Sequence, residues 1–188
     1  MRLSAIVAAA CILIGSAIGP SALCGASSGS AVGIYADMDH RVCSMDVDNV
    51  PYSLTVWVFL QPGASGLQSG EMGISFPEWV QPEAVTNNPD FYGIGCPVFY
   101  SNYWCFNFNG CQFDWVWPFR IRASVTVGGL VGQIRIVSSS QGKIVAADCQ
   151  PGYFEEPMTV LTDFHINESC AVGTEDQSWG AVKALFRE

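Results

Sequence analysis

Residues 52–60 read YSLTVWVFL, and this stretch decides the fold class. Tyr52, Leu54, Val56, Val58 and Leu60 alternate with Ser53, Thr55, Trp57 and Phe59. Successive side chains of an extended chain point to opposite faces, so the first set makes one apolar surface. The second set still carries Trp57 and Phe59, which predicts a central strand covered on both sides. Working outward, residues 61–70 (QPGASGLQSG) read as a long turn, after which Met72, Ile74 and Phe76 alternate until Pro77 ends the run. Val125 and Val127 lead into Gly128-Gly129, with residues 130–137 returning, which is a hairpin signal. Val160, Thr162, Phe164 and Ile166 alternate as the last strand. No stretch of the body shows a 3.6-residue apolar period of useful length. Many short strands at this spacing predict an all-β protein, an antiparallel β-sandwich of jelly-roll or immunoglobulin-like type with a short C-terminal tail.

The chain has 188 residues, enough for a removable targeting segment and one domain. Its 17 acidic residues outnumber 8 basic ones, giving a formal charge of −9. That balance excludes nucleic acid as a partner, because neutralising phosphates needs a Lys/Arg stripe this chain cannot assemble. It also disfavours anionic lipid. With 49% apolar and 13% charged residues, the chain has the composition of a folded protein rather than a disordered one.

Residues 1–24 read as a secretory signal peptide: Arg2 in the n-region, an uncharged apolar run over residues 5–14, then Gly15, Gly19 and Pro20. Ala22-Leu23-Cys24 before Gly25 fits small-x-small cleavage, and Cys24-Gly25-Ala26 before Ser27 is a second candidate. An uncleaved anchor is the competing reading, but the h-region is short for a span and a polar linker, residues 25–30, follows. The expected organisation is therefore signal peptide 1–24, linker 25–30, β-sandwich 31–170 and tail 171–188, with a secreted or periplasmic location and no membrane contact once the signal is removed. Export leaves Cys43, Cys96, Cys105, Cys111, Cys149 and Cys170, an even set that predicts up to three disulfides among fifteen connectivities. No CxxC or CxxH spacing supports zinc. Cys111 with Cys149 is the favoured pair, since both flank long strands of the late sheet; the other four are left unassigned.

Residues 99–119 have the most unusual composition. Trp104, Phe106 and Phe108 alternate, Asn109-Gly110 follows, and Phe113, Trp115 and Trp117 alternate again. Asn-Gly favours a type I′ turn, so the expectation is a two-residue hairpin with Phe106 facing Phe113 and Trp104 facing Trp115. In that register Cys105 and Cys111 point to opposite faces and do not bond. Flat aromatic faces stack on sugars and other apolar ligands. Tyr100, Tyr103 and Trp104 beside Asn102 and Asn107 are the candidate ligand-binding set, with Tyr92 close by. The simpler alternative is that these rings fill the core between the sheets.

Asp37, Asp39, Asp46 and Asp48 form two DxD pairs, each projecting its carboxylates to one face of an extended chain. Ca²⁺ wants several oxygen ligands at one point, so these four are the candidate metal ligands; no other cofactor is implied. The spacing is not that of an EF-hand, and solvated turns are the plainer account. His40 and His165 are the two imidazoles. Asp163 and His165 share the polar face of the last strand, but no GxSxG motif supplies a nucleophile. Glu155, Glu156 and Asp163 offer carboxylates for a small secreted hydrolase, the alternative class. No residue is singled out as catalytic. Asn167-Glu168-Ser169 is a formal glycosylation sequon.

GIYAD (residues 33–37), Cys43, the long apolar strand, the Gly-rich turn, EMGISFPEW (residues 71–79) and two late strands occur in an order similar to cohesin-like β-sandwich domains. More narrowly, residues 31–188 resemble a group of secreted bacterial proteins that share a GIYxD start and a closing TEDxSWGxxKALFR, here TEDQSWGAVKALFRE (residues 174–188). The resemblance implies fold and export and carries no activity. Cohesins bind dockerin modules, but no residue here matches a recognisable dockerin-contact motif, so that partner is not implied. The expected function is an exported, disulfide-bonded, non-catalytic binding or structural module for a glycan or an extracellular protein. In the tail, Trp179, Val182, Leu185 and Phe186 fall on one stripe of a short helix, with Glu175 and Asp176 before it and Lys183 and Arg187 late in it. They are the expected tail contacts, either with the domain itself or with a sorting partner.

Overall fold

The long strands of the domain carry apolar residues at alternate positions, and the two sheets meet along those apolar faces. A computed structural model describes residues 29–91 and 102–170. The expected signal peptide, Cys96, Tyr92, Tyr100 and the expected tail contacts Trp179, Val182, Leu185 and Phe186 lie outside the described residues. In chain order the strands are β1 (Ala31–Tyr35), β2 (Ser44–Met45), β3 (Tyr52–Gln61), β4 (Leu67–Ser75), β5 (Val80–Asn87) and β6 (Trp104–Gln112). They continue as β7 (Val116–Val125), β8 (Gly132–Val137), β9 (Val145–Ala147), β10 (Glu155–Pro157), β11 (Thr159–Thr162) and β12 (Phe164–Ile166). One sheet has the order β11-β1-β3-β7-β5; the other runs β10-β9-β4-β8-β12-β2, with β6 also paired to β4. Pairing is antiparallel except for β1 with β11 and β2 with β12. The all-β sandwich is thus established. Among the described residues no helix is long and apolar enough to cross a membrane.

β3 lies in the middle of its sheet, between β1 and β7. Leu54, Val56, Val58 and Leu60 are fully buried and share one core cluster with Ile34, Met72, Trp104, Phe106, Phe119, Ile121, Ile134 and Phe164. Both sheets contribute to this cluster, as aligned sandwich packing requires. The outer face of β3 is covered in part: Phe59 packs with Tyr35 and Cys43, Trp57 leans on them half-buried, and Ser53 and Thr55 are exposed.

Five expectations from local pattern are corrected by the tertiary structure. Asn109-Gly110 is not a hairpin turn, because β6 continues past it and pairs with β4 on both sides. Leu67 lies opposite Gln112 and Ser69 opposite Asn107, so residues 108–111 bulge out against Gln68 alone. Gly110 takes a φ of 125°, and the Gln68 side-chain amide donates to the Phe108 carbonyl at 2.7 Å. The two aromatic runs are pulled apart because β6 lines the core from one sheet while β7 supplies Phe119 and Ile121 from the other. Gly128-Gly129 likewise joins β7 to β8 across the two sheets instead of turning a hairpin, with Gly129 at φ 71° and its N–H donating to the Val47 carbonyl. The long turn at residues 61–70 is shorter than expected, since β4 begins at Leu67, which is fully buried. The last run is two strands: β11 pairs with β1 and β12 with β8, and Asp163 marks the switch between sheets. Ser30, at the end of the expected linker, belongs to the fold; it is buried, and its N–H donates to Glu156.

Disulfides join Cys43 to Cys170 and Cys111 to Cys149, each with Cα atoms 5.8 Å apart. Cys105 is disulfide-bonded too.

Candidate binding surfaces

The outer face of the second sheet carries a recess of about 220 Å³ lined by Ser69, Gly70, Glu71, Tyr103, Cys105, Phe106, Val145, Ala147 and Glu155. Strand alternation places them: Glu71 pairs with Cys105 on one side and with Val145 on the other, and all three turn away from the core. Gly70 is required at its pairing with Phe106, because a Cβ there would lie 2.5 Å from the Phe106 ring. Glu71 is buried yet fully engaged: the Tyr103 hydroxyl donates to one carboxylate oxygen at 3.0 Å and the Ser139 hydroxyl to the other at 2.9 Å. A buried polar group needs such partners to offset desolvation. Burial, then the hydrogen bond to Glu71, raises the Tyr103 pKa, so the phenol stays protonated as a donor. Lys143 forms an exposed ion pair with Glu155 at 2.9 Å, and that hydrogen bond raises the lysine pKa.

Beside the recess, the 148–154 loop links β9 to β10, and the Cys111–Cys149 bridge ties it to the end of β6. Asp148 shapes the loop by accepting the Gln150 and Phe154 N–H groups, both at 3.1 Å. The loop presents Tyr153 and Phe154, 63% and 66% exposed, and Phe113 next to the bridge is 67% exposed.

A second aromatic surface covers the outer face of the five-stranded sheet. Trp57 and Trp117 meet edge to face at 4.9 Å, and the Arg120 guanidinium lies 5.3 Å from the Trp57 ring. His40 stacks on Trp115 at 4.5 Å and packs 4.1 Å from Phe59. Burial lowers the His40 pKa, against the opposing pull of Asp37 and Asp39. Trp117 would face the core if the alternation of Phe119 and Ile121 continued. A bulge intervenes, with Val58 opposite Phe119 but Leu60 opposite Val116, and it turns Trp117 outward.

The sequence-derived candidates scatter across this framework. Trp104 is 2% exposed and packs on Phe119 at 5.5 Å in the core, so its faces are not open for stacking. Asn102 is structural: at φ 50° its carbonyl accepts the Ile74 N–H. Tyr103 lines the recess, and Asn107 is exposed on β6. The four aspartates do not converge. Asp37 caps its own loop by accepting the Arg41 and Val42 N–H groups, and Asp39, Asp46 and Asp48 are exposed. Among the described residues no group of three or more His, Cys, Asp or Glu gathers in a metal-binding arrangement. Glu155 pairs with Lys143, Glu156 holds Ser30, and Asp163 accepts the Ile136 N–H at 2.9 Å, so the hydrolase carboxylates have separate structural contacts. His165 lies 3.4 Å from Glu168 and, equally, from Gln133.

Sequence reasoning missed Glu71, Trp117, Tyr153 and Phe154. Alternation around Met72 already placed Glu71 on the outer face, which was the available signal. The bulge that exposes Trp117 leaves no local trace.

By sequence, no protein-family model and no curated protein matches the chain. By structure it is similar to the seventh ScaB type I cohesin of Pseudobacteroides cellulosolvens, with a TM-score of 0.52 at 10% identity over 79% of this chain and 97% of that one. It is also similar to a chain of the Coh-OlpA-Doc918 type I cohesin–dockerin complex of Clostridium thermocellum, with a TM-score of 0.52 at 12% identity over 74% of this chain and 98% of the other. A chain of the Coh-OlpC-Doc435 complex of the same organism matches at 0.52 and 10%, over 74% and 94%. The likeness is one of fold: the chain has a cohesin-like β-sandwich.

Proposed function

We propose that this chain is an exported, disulfide-bonded module that binds another protein without catalysing a reaction, through the face formed by β6, β4, β9 and β10. One observation carries the reading: Tyr153 and Phe154, on a loop held by a disulfide, and Phe113 beside that bridge are exposed next to a polar recess. Aromatic anchors next to satisfied hydrogen-bonding groups are the makings of an interface hot spot, and a braced loop loses little entropy on binding. Two of the cohesin structures similar in fold are cohesin–dockerin complexes, which supports a protein partner in general terms. The disulfides suit an oxidising compartment.

The test compares the wild type with the triple variant Phe113→Ser, Tyr153→Ser, Phe154→Ser, using proteins of the producing organism's secretome as prey. A partner retained by the wild type and lost by a triple variant of unchanged Tm supports the reading. Binding on a glycan array, or turnover of a glycan or ester panel, with no protein retained would overturn it.

A further inference from the structure

We propose that residues 174–188 fold back onto the outer face of the five-stranded sheet and lay Trp179, Val182, Leu185 and Phe186 over the cluster of Trp57, Trp115 and Trp117. That face is a partly covered apolar surface separate from the main core. Trp57 and Trp117 are half-buried and Trp115 is 36% exposed, above a floor of Tyr35 and Phe59. Large aromatic surface left open to water favours whatever can cover it.

The place where the chain leaves the domain selects the occupant. Cys170 packs against this same cluster, and its bond to Cys43, itself fully buried there, fixes the point of departure at the rim. Eight residues, 171–178, precede Trp179 and span at most about 29 Å when extended. The target rings are spaced 4.9 Å (Trp57 to Trp117) and 6.5 Å (Phe59 to Trp115), so the whole cluster is within reach.

Two properties of the tail match the surface. Its apolar positions fall at i, i+3, i+6 and i+7, one face of a helix too short to hold its form in water and therefore dependent on a surface to pack against. Charge agrees as well. Arg120 sits over Trp57, exposed and hydrogen-bonded only to Thr86 at 3.2 Å among the described residues, in a protein whose net charge is −9. The tail approaches with Glu175 and Asp176 just ahead of Trp179. Docking brings these carboxylates to one of the few basic groups available, where an Arg already desolvated on one side by an indole gains a partner.

The experiment places a photoreactive benzoylphenylalanine at position 186 of the full chain and maps the cross-link by peptide mass analysis. The expected product is a monomer cross-linked to the 52–61 or 115–125 segment, with its yield lost in Arg120→Glu. A product joining two copies, a cross-link elsewhere on the domain, or none within the chain overturns the proposal. Truncation after Ala171 gives the second reading: a downward shift in Tm is expected, and an unchanged Tm overturns it. No partner enters these assays, so they stand apart from the binding test on the opposite sheet.

Discussion

Removing the Cys43–Cys170 bridge tests how far this fold depends on its longest covalent tie. The bond spans 127 residues, and within that span the Cys111–Cys149 bridge bypasses 38. The ring closed in the unfolded chain is therefore about 90 residues, for which loop-closure entropy is roughly 15 cal/mol/K, or about 4.5 kcal/mol at 25 °C. A domain of about 140 residues unfolds with roughly 0.3 kcal/mol/K of entropy, so the same energy corresponds to a fall in Tm of about 15 °C. Cys43 is fully buried against Tyr35 and Phe59, and replacing its sulfur removes contacts there and acts in the same direction. The double variant Cys43→Ala, Cys170→Ala is compared with the wild type by thermal melting followed by near-UV circular dichroism, after non-reducing peptide mapping has shown the Cys111–Cys149 bond intact. A fall of less than about 5 °C would refute the reasoning, because constraint of the unfolded chain could not then be the main contribution of this bridge.

Trp104→Ala is expected to cost about 3–5 kcal/mol in urea unfolding, as for any large aromatic removed from a packed core; a loss under about 1 kcal/mol accompanied by lost ligand affinity would return Trp104 to a stacking role. The Tyr103 phenol has a raised pKa, chiefly from burial and then from its bond to Glu71. The sign follows directly: its contribution to stability is complete below the unfolded value of about 10 and is lost as pH rises through the folded value. Tyr103→Phe should flatten that alkaline decline in melts between pH 9 and 12, and an unchanged slope counts against the assignment. His40 has a lowered pKa, chiefly from burial, so its folded site favours the neutral ring. Its contribution is present above the unfolded value of about 6.5 and disappears as pH falls through the lower folded value. His40→Phe should therefore be less acid-sensitive than the wild type in melts from pH 7 to 4, and equal acid sensitivity would rule out this role.

The sequence by itself determined that the chain is a β-sandwich, that YSLTVWVFL is its central strand, and that one face of that strand is core while Trp57 and Phe59 make the other partly apolar. Period-two alternation is local, and a strand records in its own residues which of its faces is buried. What the tertiary structure alone decided is partnership. Asn109-Gly110 and Gly128-Gly129 have the local chemistry of hairpin turns, yet β6 and β7, and β7 and β8, lie in different sheets. A turn dipeptide permits a reversal without compelling one. The competing choice here buried Trp104, Phe106 and Phe108 from one sheet against Phe119 and Ile121 from the other. The candidate surfaces divide in the same way. Tyr103 and Asn107 could be named from composition, because they sit beside the alternating Trp104, Phe106 and Phe108 in the sequence. The recess could not, since Glu71, Tyr103 and Ser139 come from three separate segments joined only by pairing across β4. Nor could the outward turn of Trp117, where a single extra residue opposite β3 reverses the face of everything before it.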